Sequence, residues 1–124
     1  MLKKDHAFSG FSVDDLAAAK RFYGEVLGVE IEEISSGLRL KIGNGILIYP
    51  KSNHVPATYT MLNFPVDDID EAVQDLKRKG IKFELYPGTT DHLGIVRGIA
   101  AGLGPDIAWF KDPAGNIVSV LQEA

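Results

Sequence analysis

The chain has no cysteine, so it carries no disulfide framework, no thiolate metal site and no cysteine nucleophile. Long apolar runs are missing as well. No window approaches the roughly 18 apolar residues of a membrane span, and Met1-Leu2-Lys3-Lys4-Asp5-His6 lacks the apolar stretch of a signal peptide, so a cytoplasmic protein with no membrane partner is expected. Positive charge is sparse. Thirteen Lys and Arg stand against 17 Asp and Glu, and no basic run exceeds Lys77-Arg78-Lys79, which argues against a nucleic-acid partner. The four glycines Gly94, Gly98, Gly102 and Gly104 lack the Gly-Lys-Ser/Thr ending of a phosphate loop and fit no dinucleotide fingerprint.

What is present is a repeat. Phe11-Ser12-Val13-Asp14-Asp15-Leu16 returns 53 positions later as Phe64-Pro65-Val66-Asp67-Asp68-Ile69. With 124 residues and a mean hydropathy near zero, the repeat lies within one soluble globular domain. Module one is placed at about residues 5–50, a linker at 51–57 and module two at about 58–124.

The first half predicts a strand over Ala7 to Val13. A helix capped by Asp14 or Asp15 follows, with Leu16, Ala19, Tyr23 and Leu27 on one face and Gly28 as its stop. Strands over Val29 to Ile34, Leu38 to Ile42 and Ile46 to Tyr49 come next, separated by glycine turns. The second half predicts a strand over Thr58 to Val66 and a helix with the stripe Ile69, Ala72, Val73 and Leu76. Acidic residues mark that helix's start, and Lys77, Arg78, Lys79 and Gly80 its end. Strands are expected over Ile81 to Tyr86, around Ile95 to Ile99, over Asp106 to Phe110 and over Ile117 to Gln122.

Two signatures carry a family resemblance: Phe11 to Leu16 with Phe22-Tyr23 and Leu27-Gly28-Val29, and Trp109-Phe110-Lys111-Asp112-Pro113-Ala114-Gly115-Asn116 before the last strand. Around an internal repeat, they make the chain resemble the vicinal oxygen chelate superfamily of glyoxalase I, extradiol dioxygenases and bleomycin-resistance proteins. The resemblance implies an α+β fold of two tandem βαβββ modules, whose eight strands curl into a cup with helices outside. It also implies a homodimer and a small-molecule site. The scaffold hosts isomerases, lyases, dioxygenases and non-catalytic binders, so activity has to be argued from side chains.

Metal-binding relatives carry His or Gln five residues before the valine of the first signature, and again before its repeat. Here those positions are Phe8 and Met61. Relatives commonly carry a Glu ligand three residues beyond the asparagine of the Gly-Asn turn, which here is Ser119. Neither cup-facing candidate of the first module's closing strand, Leu47 or Tyr49, is a carboxylate. The expectation is no metal and no other cofactor, since a divalent site wants imidazole and carboxylate donors.

Strand alternation puts Phe8, Tyr49, Tyr59, Met61, Asn63 and Ser119 on the cup lining, with Trp109 a further candidate and His92 in a loop over it. His6 and His54 read as terminal and linker residues. Arg39 and Arg97 read as a solvated face, or as carboxylate or phosphate anchors if they point inward.

Three functions remain open. One is a metal-independent binder of an aromatic or amphipathic ligand. Another is a glyoxalase- or dioxygenase-type enzyme, including a metal-free one using Tyr49, Tyr59 or His92 as acid or base. The third is a dimeric interaction module with a vestigial cup. No nucleophile stands beside a base in the sequence, which disfavours covalent catalysis.

Overall fold

Residues 9–13 form the first strand, β1 (Ser9–Val13), in which Val13 is buried and Ser9 and Gly10 are exposed. In this computed structural model, all 124 residues are described, and they fall into two compact units, Met1–Pro56 and Ala57–Ala124. The fold class is α+β.

In the first unit, β1 is followed by α1 (Leu16–Lys20), then β2 (Ile31–Ile34), β3 (Gly37–Leu40) and β4 (Ile46–Pro50). Asp15 caps α1, its carboxylate accepting the Ala18 N–H at 3.0 Å. The helix does not run evenly to Gly28, as its apolar spacing predicts. It widens into a π turn over Arg21–Val26, with the Leu27 N–H bonded to the Phe22 carbonyl at 2.9 Å. The π turn leaves Tyr23 fully buried, its ring 5.9 Å from Phe11 and 5.2 Å from Phe22.

The sheet order is β1-β4-β3-β2, with β1 and β4 parallel and the other pairs antiparallel. One face, with Val13, Ile48, Leu38 and Leu40, is buried beneath the helix. On the outer rungs, Glu32 faces Arg39 across the β2–β3 ladder, and the two pair at 2.7 Å.

The second unit has β5 (Thr60–Pro65), α2 (Ile69–Arg78), β6 (Ile95–Arg97), α3 (Gly98–Ala101), β7 (Asp106–Lys111) and β8 (Ile117–Gln122), in the sheet order β5-β8-β7-β6. Asp68 caps α2 by accepting the Glu71 N–H at 3.0 Å, and the buried stripe of the helix is Ile69 and Val73. Ala108, Phe110, Val118 and Val120 form the helix-facing side of the sheet, joined by Phe83 edge-on to Phe110 at 5.6 Å.

Two strand expectations change here. Ile81 to Tyr86 is not a strand. Only Phe83 bridges Phe110, and the Glu84 N–H reaches the Trp109 carbonyl at 2.8 Å. The free edge of β7 is divided: β6 occupies Asp106 to Ala108, which leaves only the far end for Phe83 and Glu84. The predicted strand through Ile99 stops at Arg97, because Gly98 opens α3 and the Ile99 N–H is taken by the Asp106 carboxylate at 3.0 Å.

No helix is long and apolar enough to cross a membrane.

Candidate functional site

Each sheet turns one face to its helix and leaves the other open. In the first unit, parallel pairing sets Gly10 beside Leu47 and Ser12 beside Tyr49, and the antiparallel ladder sets Arg39 beside Leu47. These residues share the face opposite Val13 and Ile48. Tyr49 is 38% exposed, and Phe8, just ahead of β1, is 63% exposed. Phe8 also lines a cavity of about 350 Å³ with Ala7, Ser9 and the β3–β4 turn. Asn44 of that turn donates to the carbonyls of Asp5 and Ala7 at 2.9 and 3.0 Å, which ties the N-terminal segment down. Arg39 lies on the open face with its charge engaged by Glu32, and Lys41 likewise pairs with Glu30 at 3.4 Å.

One contact on this face was not legible in the sequence. The Ser12 hydroxyl lies 2.6 Å from Nδ1 of His54. The Lys51 N–H bonds the Val13 carbonyl at 2.9 Å and the His54 N–H bonds the Lys51 carbonyl at 3.1 Å, so the linker folds back over the end of β1. The absence of a nucleophile beside a base therefore holds only along the sequence. In the fold, a hydroxyl and an imidazole meet.

In the second unit, the open face carries Asn63, Ser119 and Trp109 on adjacent rungs of β5, β8 and β7. The Ser119 hydroxyl and the Asn63 side-chain oxygen are 2.5 Å apart, and Ser119 is fully buried. Trp109 reaches across β8, and its indole N–H donates to the Thr60 hydroxyl at 3.0 Å. The Tyr86 ring stands edge-on to it at 5.8 Å.

Simple alternation predicts Tyr59, Met61 and Asn63 on one face, but β5 is irregular at Met61. Thr60 pairs with Ile117 and Leu62 with Val118, so Met61 is the extra residue. Thr60, which alternation assigns to the opposite face, is the side chain that meets Trp109. Tyr59 precedes the strand and is 70% exposed, while Met61 is half-buried.

His92 is exposed in the loop before β6. The residue that organises this loop is its neighbour Asp91, which accepts the N–H groups of Leu93 and Ile95 at 2.9 Å each. Arg97 is engaged by two carboxylates of its own unit. Its guanidinium forks onto Asp70 of α2 at 2.7 and 2.9 Å, and its Nε reaches Asp91 at 3.2 Å. The hydrogen bond from Arg97 holds the Asp70 carboxyl below the usual carboxylate range. Partial burial pulls the Asp91 carboxyl upward, but the two loop N–H groups and Arg97 outweigh it and leave it lowered. Arg97 in turn holds its proton more tightly than usual, chiefly through its hydrogen bonds to Asp70.

The metal that the resemblance brings to mind does not fit these residues. Phe8 and Met61 offer no imidazole or carboxylate, and the Ser119 hydroxyl is taken by Asn63 inside the sheet. No three His, Asp or Glu side chains gather in a way that would hold an ion.

Solved structures of similar fold include a glyoxalase family protein from Bacillus anthracis. It is 25% identical with a TM-score of 0.71, over 94% of this chain and 93% of that one. TnmS3, an antibiotic binding protein from Streptomyces sp. CB03234, is 21% identical with a TM-score of 0.65, over 94% and 93%. FosX, a fosfomycin resistance protein from Listeria monocytogenes, is 16% identical with a TM-score of 0.68, over 95% and 92%. Comparison with curated proteins finds no match. The strand–helix–three-strand order of the units, with the short α3 added between β6 and β7 of the second, agrees with a family sequence model that matches residues 5–120, and the chain belongs to the Glyoxalase/Bleomycin resistance protein/Dioxygenase superfamily.

Proposed function

We propose that this protein binds an aromatic or amphipathic small molecule without a metal ion. The observation that carries the reading is the Ser119–Asn63 hydrogen bond. Where metal-dependent relatives place a carboxylate, this chain has a buried hydroxyl already committed to its neighbour. Trp109 and Tyr86 supply aromatic contact area beside the second sheet, and Tyr59, just ahead of β5, is a large exposed side chain that a ligand would cover. Aromatic walls with a few placed polar groups are the usual make-up of small-molecule sites. His92, at the loop surface, would contact the ligand from the side. The antibiotic-binding role of TnmS3 and the fosfomycin resistance of FosX belong to those proteins, and they support a binding role here. A cytoplasmic homodimer is part of the same proposal.

Trp109 is the chain's single tryptophan, so its fluorescence reports directly on the second sheet. The test is a screen of aromatic compounds and antibiotics by Trp109 quenching and thermal shift, run beside metal analysis and titrations with zinc, nickel, manganese and iron(II). Saturable quenching with a raised melting temperature, and no response to metal, is expected. Stoichiometric bound metal, or a melting temperature that climbs with metal concentration, would overturn the reading.

A further inference from the structure

The Ser12–His54 pair belongs to the first unit, and nothing in the binding role proposed for the second sheet calls for it. A serine hydroxyl at 2.6 Å from an imidazole nitrogen is the first geometric element of nucleophilic catalysis: a weak nucleophile beside a group that can take its proton. Three features of the fold hold this pair ready. Ser12 is half-buried on a strand, which fixes its backbone. The linker turn at Lys51 fixes His54 through two backbone hydrogen bonds, so the base is preorganised. Gly10, two residues before Ser12 on the same face, presents no side chain to block approach, while Tyr49 beside Ser12 offers an aromatic wall.

We propose that Ser12 is a nucleophile with His54 as its general base, and that the open face of the first sheet accepts acyl groups from activated aryl esters and passes them to water. In the first step, the Ser12 Oγ bonds to the ester carbonyl carbon as the bond from that carbon to the phenolate oxygen breaks. The Ser12 proton moves to Nδ1 of His54 and on to the departing phenolate. In the second step, water attacks the acyl-serine, His54 takes the water's proton, and that proton returns to the Ser12 oxygen as the carboxylic acid leaves. No oxidant, reductant or metal enters the balance. Accepting at Nδ1 requires the imidazole tautomer with its hydrogen on Nε2.

The test combines p-nitrophenyl acetate hydrolysis with labelling by an aryl fluorophosphonate, the adduct being located by peptide mass spectrometry. A single adduct on Ser12 is expected, absent in Ser12→Ala and formed at least about tenfold more slowly in His54→Gln. Because the chain has no cysteine, Ser12→Cys creates a protein with one thiol. Its alkylation by iodoacetamide should be at least about tenfold faster with His54 present than in the His54→Gln background, since an imidazole partner favours the thiolate. Circular dichroism of each variant confirms the fold. Labelling at another residue, no labelling, or rates indifferent to His54→Gln in both chemistries would overturn the proposal. Trp109 quenching by aromatic ligands should persist in Ser12→Ala, which separates this activity from the binding role.

Discussion

Ser119 and Asn63 are paired across β8 and β5, and the Ser119 hydroxyl donates to the Asn63 side-chain oxygen at 2.5 Å in the second sheet. The bond satisfies a fully buried hydroxyl, while Asn63 itself is exposed at its other edge. Ser119→Ala removes the donor to Asn63, whose exposed side chain water can then serve, and should cost about 1 kcal/mol or less. Ser119→Glu should cost more, because it puts a carboxylate in a site built for a hydroxyl. Urea unfolding of both variants checks the order, and equal stabilities would contradict it.

Arg97 links α2 to the loop before β6 through Asp70 and Asp91. Both carboxyls are lowered in the folded chain. As pH falls below about 4, the unfolded chain therefore takes up protons before the folded one does, and stability drops. The contribution is fully present above that pH and is lost as pH falls through the lowered folded-state values. Arg97→Gln should lower the melting temperature at neutral pH, and the gap to the parent should narrow toward pH 3. The side chains of Arg97 and Asp70 are 39% and 48% exposed, so solvent screening limits the effect to about 1 kcal/mol or less, and added salt should shrink it. A gap unchanged by both acid and salt would show that Arg97 acts by packing.

Gly37 starts β3 at φ 148°, and a Cβ there would lie 2.1 Å from the Ile48 carbonyl oxygen. Backbone cannot yield as a flexible side chain can, so Gly37→Ala should destabilise by about 3 kcal/mol or more, or prevent folding. Gly43→Ala, where a Cβ meets nothing within 4 Å, carries only the cost of its positive φ and serves as the comparison. Denaturant midpoints should rank parent, Gly43→Ala, Gly37→Ala.

Thr60 accepts the Trp109 indole N–H at 3.0 Å across the intervening strand β8. Thr60→Val keeps the shape and removes the acceptor. The expected result is a loss of about 1 kcal/mol and a shifted Trp109 emission maximum. If the indole orients an aromatic ligand, the quenching affinity falls as well. An unchanged emission spectrum would show that the indole does not depend on Thr60.

The residues explain why some of this was legible beforehand and some was not. Asp15 was one of two cap candidates and Asp68 one of the acidic residues marking the second helix's start, because capping is settled within three residues, and the two helices followed from apolar spacing and stopping glycines. The π turn at Arg21–Val26 was not legible, since the spacing of Leu16, Ala19 and Tyr23 suits an ordinary helix equally well. Ile81 to Tyr86 has strand composition, yet whether it pairs depends on how much of the β7 edge β6 has already taken. The bulge at Met61 shifted Thr60 onto the open face, and a period of two cannot anticipate an inserted residue.

The duplicated module, the family and the residues at the expected metal positions can be read along the chain, because repeats, turn signals and residue identities are local properties. Tertiary structure alone decided that Ser12 meets His54, 42 positions away, that Trp109 binds Thr60, 49 positions away, and that Arg97 is spent on Asp70 and Asp91. Those partnerships rest on which strands lie side by side and how far a side chain reaches across them, and spacing along the chain encodes neither.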